Sequence, residues 1–345
     1  MIKPAFYSAL LSGAIFLVSC GPVDDFDPDE ESSNTSESTF GIRHDKELSD
    51  YEAVGSNDSP YNTADYPDFT SVIKFCYSLD GSSNEDYIAT GTVVGSQWIL
   101  TAGHNFFVAS EQSSPAPASG ITIVVGDDPN TSSTTYEVES VNFHPTWISD
   151  NEDFINGNDI CLVKLKTAIT GITPAPINLT LNDETIGNTT WFCGYGDYSQ
   201  QAGQNANLLT NRHAIQNVLD RRVDGITTTS GSTTYNGGLL AFDFDSPDGD
   251  ANTLGDGTVN SDEALLGSGT SDASATTFEG ATVQGDSGGP LFMKIDGEWQ
   301  VCGVLSGGAS DVVDGHQDSG YGDISVFIRT SSHTSWIESL INPSI

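Results

Sequence analysis

Ser287 has the residue type needed for nucleophilic catalysis and lies in a glycine-rich stretch, TVQGDSGGPLF, at residues 282–292. Gly, Asp, Ser and Pro are also the ordinary residues of turns, so a turn that merely contains a serine is the alternative. A serine hydroxyl is a poor nucleophile unless a neighbouring base takes its proton, and histidine suits that task at neutral pH. A catalytic reading of Ser287 therefore requires a histidine and a carboxylate elsewhere in the chain.

His104 and Asp159 are the candidates for the base and the carboxylate. His104 follows the apolar run QWILTAG, at the exit of a predicted strand, where a rigid scaffold would position it; the other five histidines have less constrained settings. Asp159 begins the run DICLVKL. A carboxylate at the edge of such an apolar strand is expected to be partly buried and to need a partner, which the histidine could supply.

The elements that would position these residues are β-strands. Short runs rich in Val, Ile, Thr, Phe and Tyr recur, with 36 Gly and 14 Pro in the chain, and this pattern indicates a mainly β protein. About six runs precede a proline-containing connector near Pro174, and about six follow it. The sequence therefore predicts an all-β fold of two β-barrels, at about residues 42–172 and 173–345.

Three local signals refine this prediction. GTVVGSQWILTAGH predicts two strands joined by a turn at Gly95 and Ser96, and HAIQNVLDRRV is interpreted as one strand. The pair Asp296 and Gly297, between LFMKI and EWQVCGV, is typical of a tight hairpin. The final SSHTSWIESLI has capping residues and a helical pattern, which predict a C-terminal helix.

The charge of the chain is strongly acidic, with a formal net charge of −37. Such a surface repels phosphate backbones and excludes nucleic acid as an expected partner. It could attract basic substrates, or it could be only a solvated surface.

The N-terminus, MIKPAFYSALLSGAIFLVSCG, has a positive start and an apolar stretch that is typical of a signal peptide. It ends in LVSC, which resembles a bacterial lipobox, so residues 1–20 are interpreted as a lipoprotein-type signal with Cys20 as the lipidated residue. An ordinary secretory signal or a short anchor is the alternative. The acidic, serine-rich residues 21–41 predict a disordered tether. The expected location is the bacterial cell envelope, held in the membrane by a lipid anchor, or outside the cell if the anchor is absent.

Four further cysteines remain, and each lies inside a strand-like run. An even number in an exported protein permits two disulfides, and buried free thiols are the alternative. No zinc-ligand spacing is present, and no metal ligands are predicted among them. These residues are Cys76, Cys161, Cys193 and Cys302.

The motifs TAGH, NDICLVKL and GDSGGP, in this order, resemble the trypsin/chymotrypsin-like serine protease family. FHP at residues 143–145, CGYG, GVLSGG and the C-terminal SVFIRTSSHTSWIESLI add to the resemblance, which covers roughly residues 42–345. The resemblance implies a double six-stranded β-barrel of the chymotrypsin type with a C-terminal helix. It also implies a serine endopeptidase that acts on proteins or peptides and requires no cofactor.

The resemblance assigns catalytic roles to matching residues. Ser287 would attack the peptide carbonyl, His104 would act as general base and then general acid, and Asp159 would orient His104. The backbone N–H groups of Gly285 and Ser287 would form the oxyanion hole, and Ser306 would support Asp159.

The resemblance also places a substrate pocket. Ala281 would form its base next to Thr282, Ser306 would lie at the cleft, and Gly308 and Ser325 would form the walls, with Gly308 also pairing with the substrate backbone. The position of Ala281 carries no carboxylate that could pair with Lys or Arg of a substrate, so an uncharged substrate side chain of medium or large size is expected.

The chain departs from the family pattern at several positions. Asn105 and Thr90 stand where many members carry a pair of cysteines, and Val283 stands at another cysteine position. In the family, cleavage frees an amino group that pairs with the residue corresponding to Asp286. Ile42 is the candidate for that new N-terminus, and the alternative is that its segment merely begins a strand.

An acidic insertion at about residues 243–275 partly resembles a calcium-binding loop, through Asp256, Gly257, Val259 and Glu263. Leu254 occupies a ligand position there, so an acidic surface loop is the alternative. Two other functions stay open beside the endopeptidase. One is a catalytically silent member of the family that acts as a binding or adhesion lipoprotein, and the other is a calcium-dependent binding lipoprotein.

Overall fold

Strands dominate the computed structural model, which describes residues 41–82, 87–108, 112–127, 134–149, 156–198, 211–255, 257, 264–309 and 319–342. Within these ranges lie thirteen β-strands and three short α-helices: α1 (Leu48–Gly55), α2 (Pro145–Ser149) and α3 (Thr334–Ile341). No helix in the described ranges is long and apolar enough to cross a bilayer. The predicted all-β class with a C-terminal helix is confirmed.

Six antiparallel strands close into the first barrel, in the order β1-β2-β3-β6-β5-β4 and back to β1. The interior is filled by aliphatic and aromatic side chains such as Ile73, Phe75 and Val163, because alternate residues of each strand face inward. The strands are β1 (Val72–Tyr77), β2 (Tyr87–Gly95), β3 (Trp98–Thr101), β4 (Ile121–Val125), β5 (Thr134–Phe143) and β6 (Cys161–Leu165).

The second set of strands forms one seven-stranded sheet, in the order β8-β7-β11-β12-β13-β10-β9. The run HAIQNVLDRRV, predicted as one strand, divides after Val218, because the amides of Leu219 and Asp220 bond to Asn188 and Ala241 and turn the chain. This division accounts for the seventh strand. The strands are β7 (Thr189–Gly194), β8 (His213–Val218), β9 (Arg221–Ser230), β10 (Thr233–Asp243), β11 (Pro290–Ile295), β12 (Glu298–Ala309) and β13 (Ile324–Arg329).

The predicted hairpin between β11 and β12 is present. Ile295 pairs with Glu298, and the two residues between them have positive φ angles, 51° at Asp296 and 86° at Gly297. These are the angles of the tight turn that suits the twist of two antiparallel strands, and Asp-Gly tolerates them well.

Residues near the two ends of the described chain tie the halves together. The helix α1, which the sequence patterns did not predict, packs on β8, where Arg212 donates to the carbonyl of Gly55 at 2.8 Å. At the other end, His333 precedes α3 and lies 2.9 Å from the carbonyl of Gly157, close to Asp159 in sequence. The N-terminal helix therefore packs on the second sheet, and the C-terminal segment reaches the loop that precedes β6 of the first barrel.

All four described cysteines are buried, and none of them forms a disulfide. Burial raises the pKa of the thiols of Cys161, Cys193 and Cys302, because an apolar environment disfavours the thiolate. The alternative of buried thiols therefore holds, and the two disulfides are not formed. These residues act as small apolar side chains of the core.

Candidate active site

Loops at the ends of three strands carry His104, Asp159 and Ser287. His104 follows β3, Asp159 precedes β6, which is hydrogen-bonded to β3, and Ser287 precedes β11 of the second sheet. All three residues are buried. The site is therefore assembled from both sets of strands, and each of its parts is attached close to a strand end.

A continuous hydrogen-bonded chain joins these three side chains. Nδ1 of His104 lies 2.6 Å from Oδ2 of Asp159, and Nε2 lies 2.9 Å from Oγ of Ser287. Because an ionised carboxylate only accepts hydrogen bonds, Nδ1 carries the proton, and Nε2 is left to accept the proton of the serine hydroxyl. This arrangement can make Oγ nucleophilic toward a carbonyl carbon.

Asp159 is a fully buried carboxylate whose two oxygens both have donors. Oδ1 accepts the backbone N–H of His104 at 2.8 Å, and Oδ2 accepts the hydroxyl of Ser306 at 2.7 Å besides Nδ1 of His104. These donors replace the water that burial removes and fix the rotation of the carboxyl group. The structure therefore brings Ser306 into contact with the carboxyl group of Asp159.

The peptide planes around the serine orient two backbone N–H groups. The carbonyl of Gln284, which precedes Gly285, accepts an N–H of a neighbouring loop at 3.0 Å. The carbonyl of Asp286, which precedes Ser287, accepts an N–H three residues further on at 2.8 Å. Since C=O and N–H point in opposite directions in a trans peptide, the N–H groups of Gly285 and Ser287 have set directions, as two oxyanion donors require.

A polar network that the sequence patterns did not predict supports this turn. The side-chain hydroxyl of Thr90 donates to the carbonyl of Gly285 at 3.0 Å. The backbone N–H of Thr90 donates to the carbonyl of Ser287 at 2.9 Å. Asn105 donates to the same Ser287 carbonyl at 3.1 Å and to the hydroxyl of Thr101 at 3.0 Å. The two residues at the family's cysteine positions therefore hold the serine turn by hydrogen bonds.

The predicted base of the pocket is apolar. Ala281 is buried in a small cluster with Phe244 and Tyr321, and its own side chain carries no polar atom. The only acceptor that this residue brings is its backbone carbonyl, to which Tyr198 donates at 2.9 Å. A substrate side chain that reached this base would meet methyl and aromatic groups.

The predicted walls of the pocket lie on two paired strands. Gly308 of β12 is opposite Ser325 of β13, and the hydroxyls of Ser325 and Thr282 lie 3.0 Å apart. The hydroxyl of Ser325 also accepts the N–H of Thr282 at 3.2 Å. The structure thus brings Thr282 and Ser325 into contact and leaves the wall positions small and uncharged.

The two residues predicted for activation are not joined by a hydrogen bond in the described part of the chain. Ile42 is buried and forms an antiparallel bridge with Gly280. Asp286 is fully buried, and its carboxylate accepts from other groups. A pair between a freed amino group of Ile42 and Asp286 stays a prediction.

Several predicted features lie outside the described residues: the signal peptide with Cys20, the tether except for its last residue, and Asp256, Val259 and Glu263 of the calcium-like loop. Where the structure is described, no group of three or more His, Cys, Asp or Glu side chains is arranged to hold a metal ion. Calcium at the acidic insertion stays a prediction from the sequence.

Comparison with known proteins gives the same general picture. A model of the trypsin family matches residues 70–251, more than half of the chain. The matched range contains His104 and Asp159 and ends within the acidic insertion, before Ser287.

Two curated relatives are each 26% identical to the chain, and both are named chymotrypsin-like elastase family member 1. The rat protein (Rattus norvegicus) aligns over 258 residues and the macaque protein (Macaca fascicularis) over 262. Each alignment covers 73% of this chain and 77% of the relative.

Proposed function

Since this chain belongs to the trypsin family, we propose that it is a serine endopeptidase that cleaves proteins or peptides. The observation that carries the proposal is the hydrogen-bonded chain from Asp159 through His104 to Ser287, with distances of 2.6 and 2.9 Å. The likeness to two elastase-named proteins supports the same reaction class.

In the first half of the reaction, Oγ of Ser287 attacks the carbonyl carbon of the scissile peptide bond while Nε2 of His104 takes the hydroxyl proton. The carboxylate of Asp159 stabilises the imidazolium that forms. The negative charge on the former carbonyl oxygen is met by the N–H groups of Gly285 and Ser287; losing one such donor typically costs about 3–4 kcal/mol of transition-state stabilisation. Collapse breaks the C–N bond, and the imidazolium protonates the leaving amine.

In the second half, water hydrolyses the acyl group on Ser287. His104 takes a proton from the water, whose oxygen adds to the ester carbonyl, and returns that proton to Oγ when the ester bond breaks. The cycle restores the enzyme and releases a carboxylic acid. It uses only side chains, backbone N–H groups and water, so it requires no cofactor.

The preferred substrate carries an uncharged side chain of medium or large size next to the scissile bond. The apolar surroundings of Ala281 and the small wall residues Gly308 and Ser325 support this preference. A buried charged side chain without a partner is strongly disfavoured, and no carboxylate is predicted at this base.

The enzyme acts outside the cytoplasm, attached to a bacterial membrane through a lipid on Cys20. The signal-like residues 1–20 and the acidic residues 21–41 support this location. The tether would keep the folded part clear of the membrane surface.

A fluorophosphonate probe tests the proposed function, because it reacts with an activated serine and with few other groups. The purified chain is expected to be labelled on Ser287, and Ser287→Ala is expected to remain unlabelled while its melting temperature stays within a few degrees of wild type. His104→Ala should lower the labelling rate by about a thousandfold or more.

Absence of labelling in the wild-type chain, both before and after cleavage upstream of Ile42, would contradict the endopeptidase. That result would favour a catalytically silent member of the family that binds a partner. Hydrolysis of a peptide library by the wild type, lost in Ser287→Ala, completes the test.

A further inference from the structure

The carboxylate of Asp286, directly before Ser287, is fully buried, yet internal donors satisfy it. Oδ1 accepts the N–H of Gly196 at 2.8 Å. Oδ2 accepts the N–H of Val283 at 3.0 Å and lies 3.0 Å from the hydroxyl of Tyr198. A carboxylate has about four lone-pair sites, and these groups occupy three of them.

The glycines of the CGYG element make room for this carboxylate. A Cβ at Gly194 would lie 2.1 Å from Oδ1 of Asp286, and a Cβ at Gly196 would lie 2.6 Å from its Cγ. Any side chain at either position would therefore displace the carboxyl group of Asp286 from its present position. The end of β7 and the residues after it therefore leave space for this carboxylate, and the N–H of Gly196 bonds to it.

Tyr198 links the carboxylate of Asp286 to the base of the proposed pocket. Its hydroxyl lies 3.0 Å from Oδ2 of Asp286 and 2.9 Å from the carbonyl of Ala281, so one proton is shared between two acceptors. Burial and the neighbouring carboxylate raise the pKa of Tyr198 well above its ordinary value, so the hydroxyl keeps the proton that it donates.

His213 faces the same carboxylate from β8. Its Nε2 is buried, makes no hydrogen bond among the described residues, and lies 3.5 Å from Oδ1 of Asp286. Its Nδ1 lies 3.2 Å from the carbonyl of Asn211, and its ring packs edge-on against that of Tyr198, with centroids 4.1 Å apart. The imidazole of His213 therefore lies directly beside the carboxylate of Asp286.

The segment that leads into Ile42 lies against this group of residues. A Cβ at Gly41 would come within 2.6 Å of both the ring of Tyr198 and the side chain of Val283. The N–H of Gly41 donates to the carbonyl of Ser319 at 2.7 Å, and its carbonyl accepts from Ala281 at 3.0 Å. The uncleaved chain is thus packed against Tyr198 and Val283, two residues that bond to Asp286, while internal groups already occupy three sites of that carboxylate.

We propose that Tyr198 and His213 position Asp286, and through it the oxyanion turn at Gly285 and Ser287, so that the uncleaved chain is reactive. The two residues take the place that an amino group freed by cleavage before Ile42 would otherwise fill. This inference rests on the proposed endopeptidase function. Tyr198 and His213 are positioning residues, since they touch Asp286 and no substrate atom.

The first experiment compares the intact chain with a chain cut before Ile42 at an engineered protease site. Mass spectrometry establishes which N-terminus each preparation has, and the fluorophosphonate labelling rate of Ser287 is measured in both. We expect the intact chain to be labelled completely, at a rate within about threefold of that of the cut chain.

The second experiment removes the hydroxyl of Tyr198 while its ring remains. Tyr198→Phe is expected to lower the labelling rate at least about tenfold, because the oxyanion turn loses a support and each oxyanion donor is worth more than that. Tyr195→Phe is the matched control: its buried hydroxyl donates to the carbonyl of Gly126 at 2.7 Å. The control should lower the melting temperature to a similar degree and leave the labelling rate within about twofold.

Two results would overturn the inference. One is labelling of the cut chain alone, which leaves the endopeptidase function standing and makes the freed amino group necessary. The other is an equal effect of Tyr198→Phe and Tyr195→Phe on the labelling rate, which would reduce Tyr198 to a general structural role. Absence of labelling in both the intact and the cut chain instead overturns the proposed function itself, and with it this inference.

Discussion

At the scale of single residues, the chemistry depends on the hydrogen-bond partners within about 3 Å of each polar atom. Oδ2 of Asp159 has Nδ1 of His104 and the hydroxyl of Ser306, so it can hold one tautomer of the imidazole. The proposed pocket follows the same logic in reverse. Ala281 packs with Phe244 and Tyr321 and carries no charge itself, so the proposed preference for an uncharged substrate side chain depends on the residue type at this one position.

Ala281→Asp tests this view of the pocket. When the wild type acts on a peptide library, it should cleave mainly after uncharged residues. Cleavage after Lys or Arg should be almost absent. The variant should gain cleavage after Lys and Arg by about tenfold or more relative to the wild type, because its new carboxylate would pair with their charge. Preference of the wild type for Lys or Arg would contradict the proposed specificity, and melting temperatures show whether the variant is folded.

At the scale of elements, the serine turn is held by residues of the first barrel. Thr90 of β2 and Asn105, in the turn after β3, bond to carbonyls of the turn, and Thr101 joins them by donating to the carbonyl of Thr90 at 2.7 Å. Here buried hydrogen bonds connect the barrel to the turn.

Asn105→Ala measures the strength of that connection. This substitution removes the amide hydrogen bonds from Asn105 to the hydroxyl of Thr101 and to the buried carbonyl of Ser287. The loss should lower the free energy of unfolding by about 1–3 kcal/mol. The fluorophosphonate labelling rate should fall several-fold as well. Denaturant unfolding and labelling of the same preparation give both quantities.

The control for this variant is Asn142→Ala. Asn142 also makes two amide hydrogen bonds, to Ser140 at 3.2 Å and to the carbonyl of Leu162 at 3.1 Å, but on a partly exposed strand away from the serine turn. It should lose less stability and keep its labelling rate. A labelling rate unchanged in both variants would show that the network stabilises the fold without affecting the serine.

At the scale of the whole molecule, the excess of acidic residues reaches the interior. Asp220, Asp243, Asp245 and Glu279 are all buried. Burial, reinforced by the neighbouring carboxyl groups, raises the pKa of Asp220 to about 10, of Asp245 to about 9 and of Glu279 to about 8. The folded protein therefore keeps protons that the unfolded chain releases just above pH 4.

This difference predicts how stability depends on pH. Because the folded-state pKa of Asp220 is raised, its contribution to stability is present below about pH 4 and is lost progressively as pH rises toward about 10. Asp220→Asn removes the ionisation, so its stability relative to wild type should increase by about 2–4 kcal/mol between pH 5 and pH 8. Thermal or denaturant unfolding at both pH values measures this change.

The matched control is Asp296→Asn, at an exposed hairpin position where asparagine suits the turn equally well. Its stability relative to wild type should be the same at both pH values. An Asp220→Asn variant with no greater advantage at pH 8 than at pH 5 would show that Asp220 ionises normally in the folded protein.

The sequence by itself determined the features that local patterns encode. Period-two runs and turn residues predicted the mainly β fold, the hairpin at Asp296 and Gly297, and the C-terminal helix, because alternation and backbone angles depend only on near neighbours. The motifs around His104, Asp159 and Ser287 identified three side chains that the structure brings within hydrogen-bond distance.

Only the tertiary structure decided what lies around those motifs. The partners of Asp286, the role of Thr90 and Asn105 in the serine turn, and the free state of the cysteines depend on contacts between segments up to about two hundred residues apart. The strand break after Val218 likewise depends on the carbonyls of Asn188 and Ala241. Such contacts leave no periodic trace in the chain, because a hydrogen bond between distant segments needs only one suitable atom on each side.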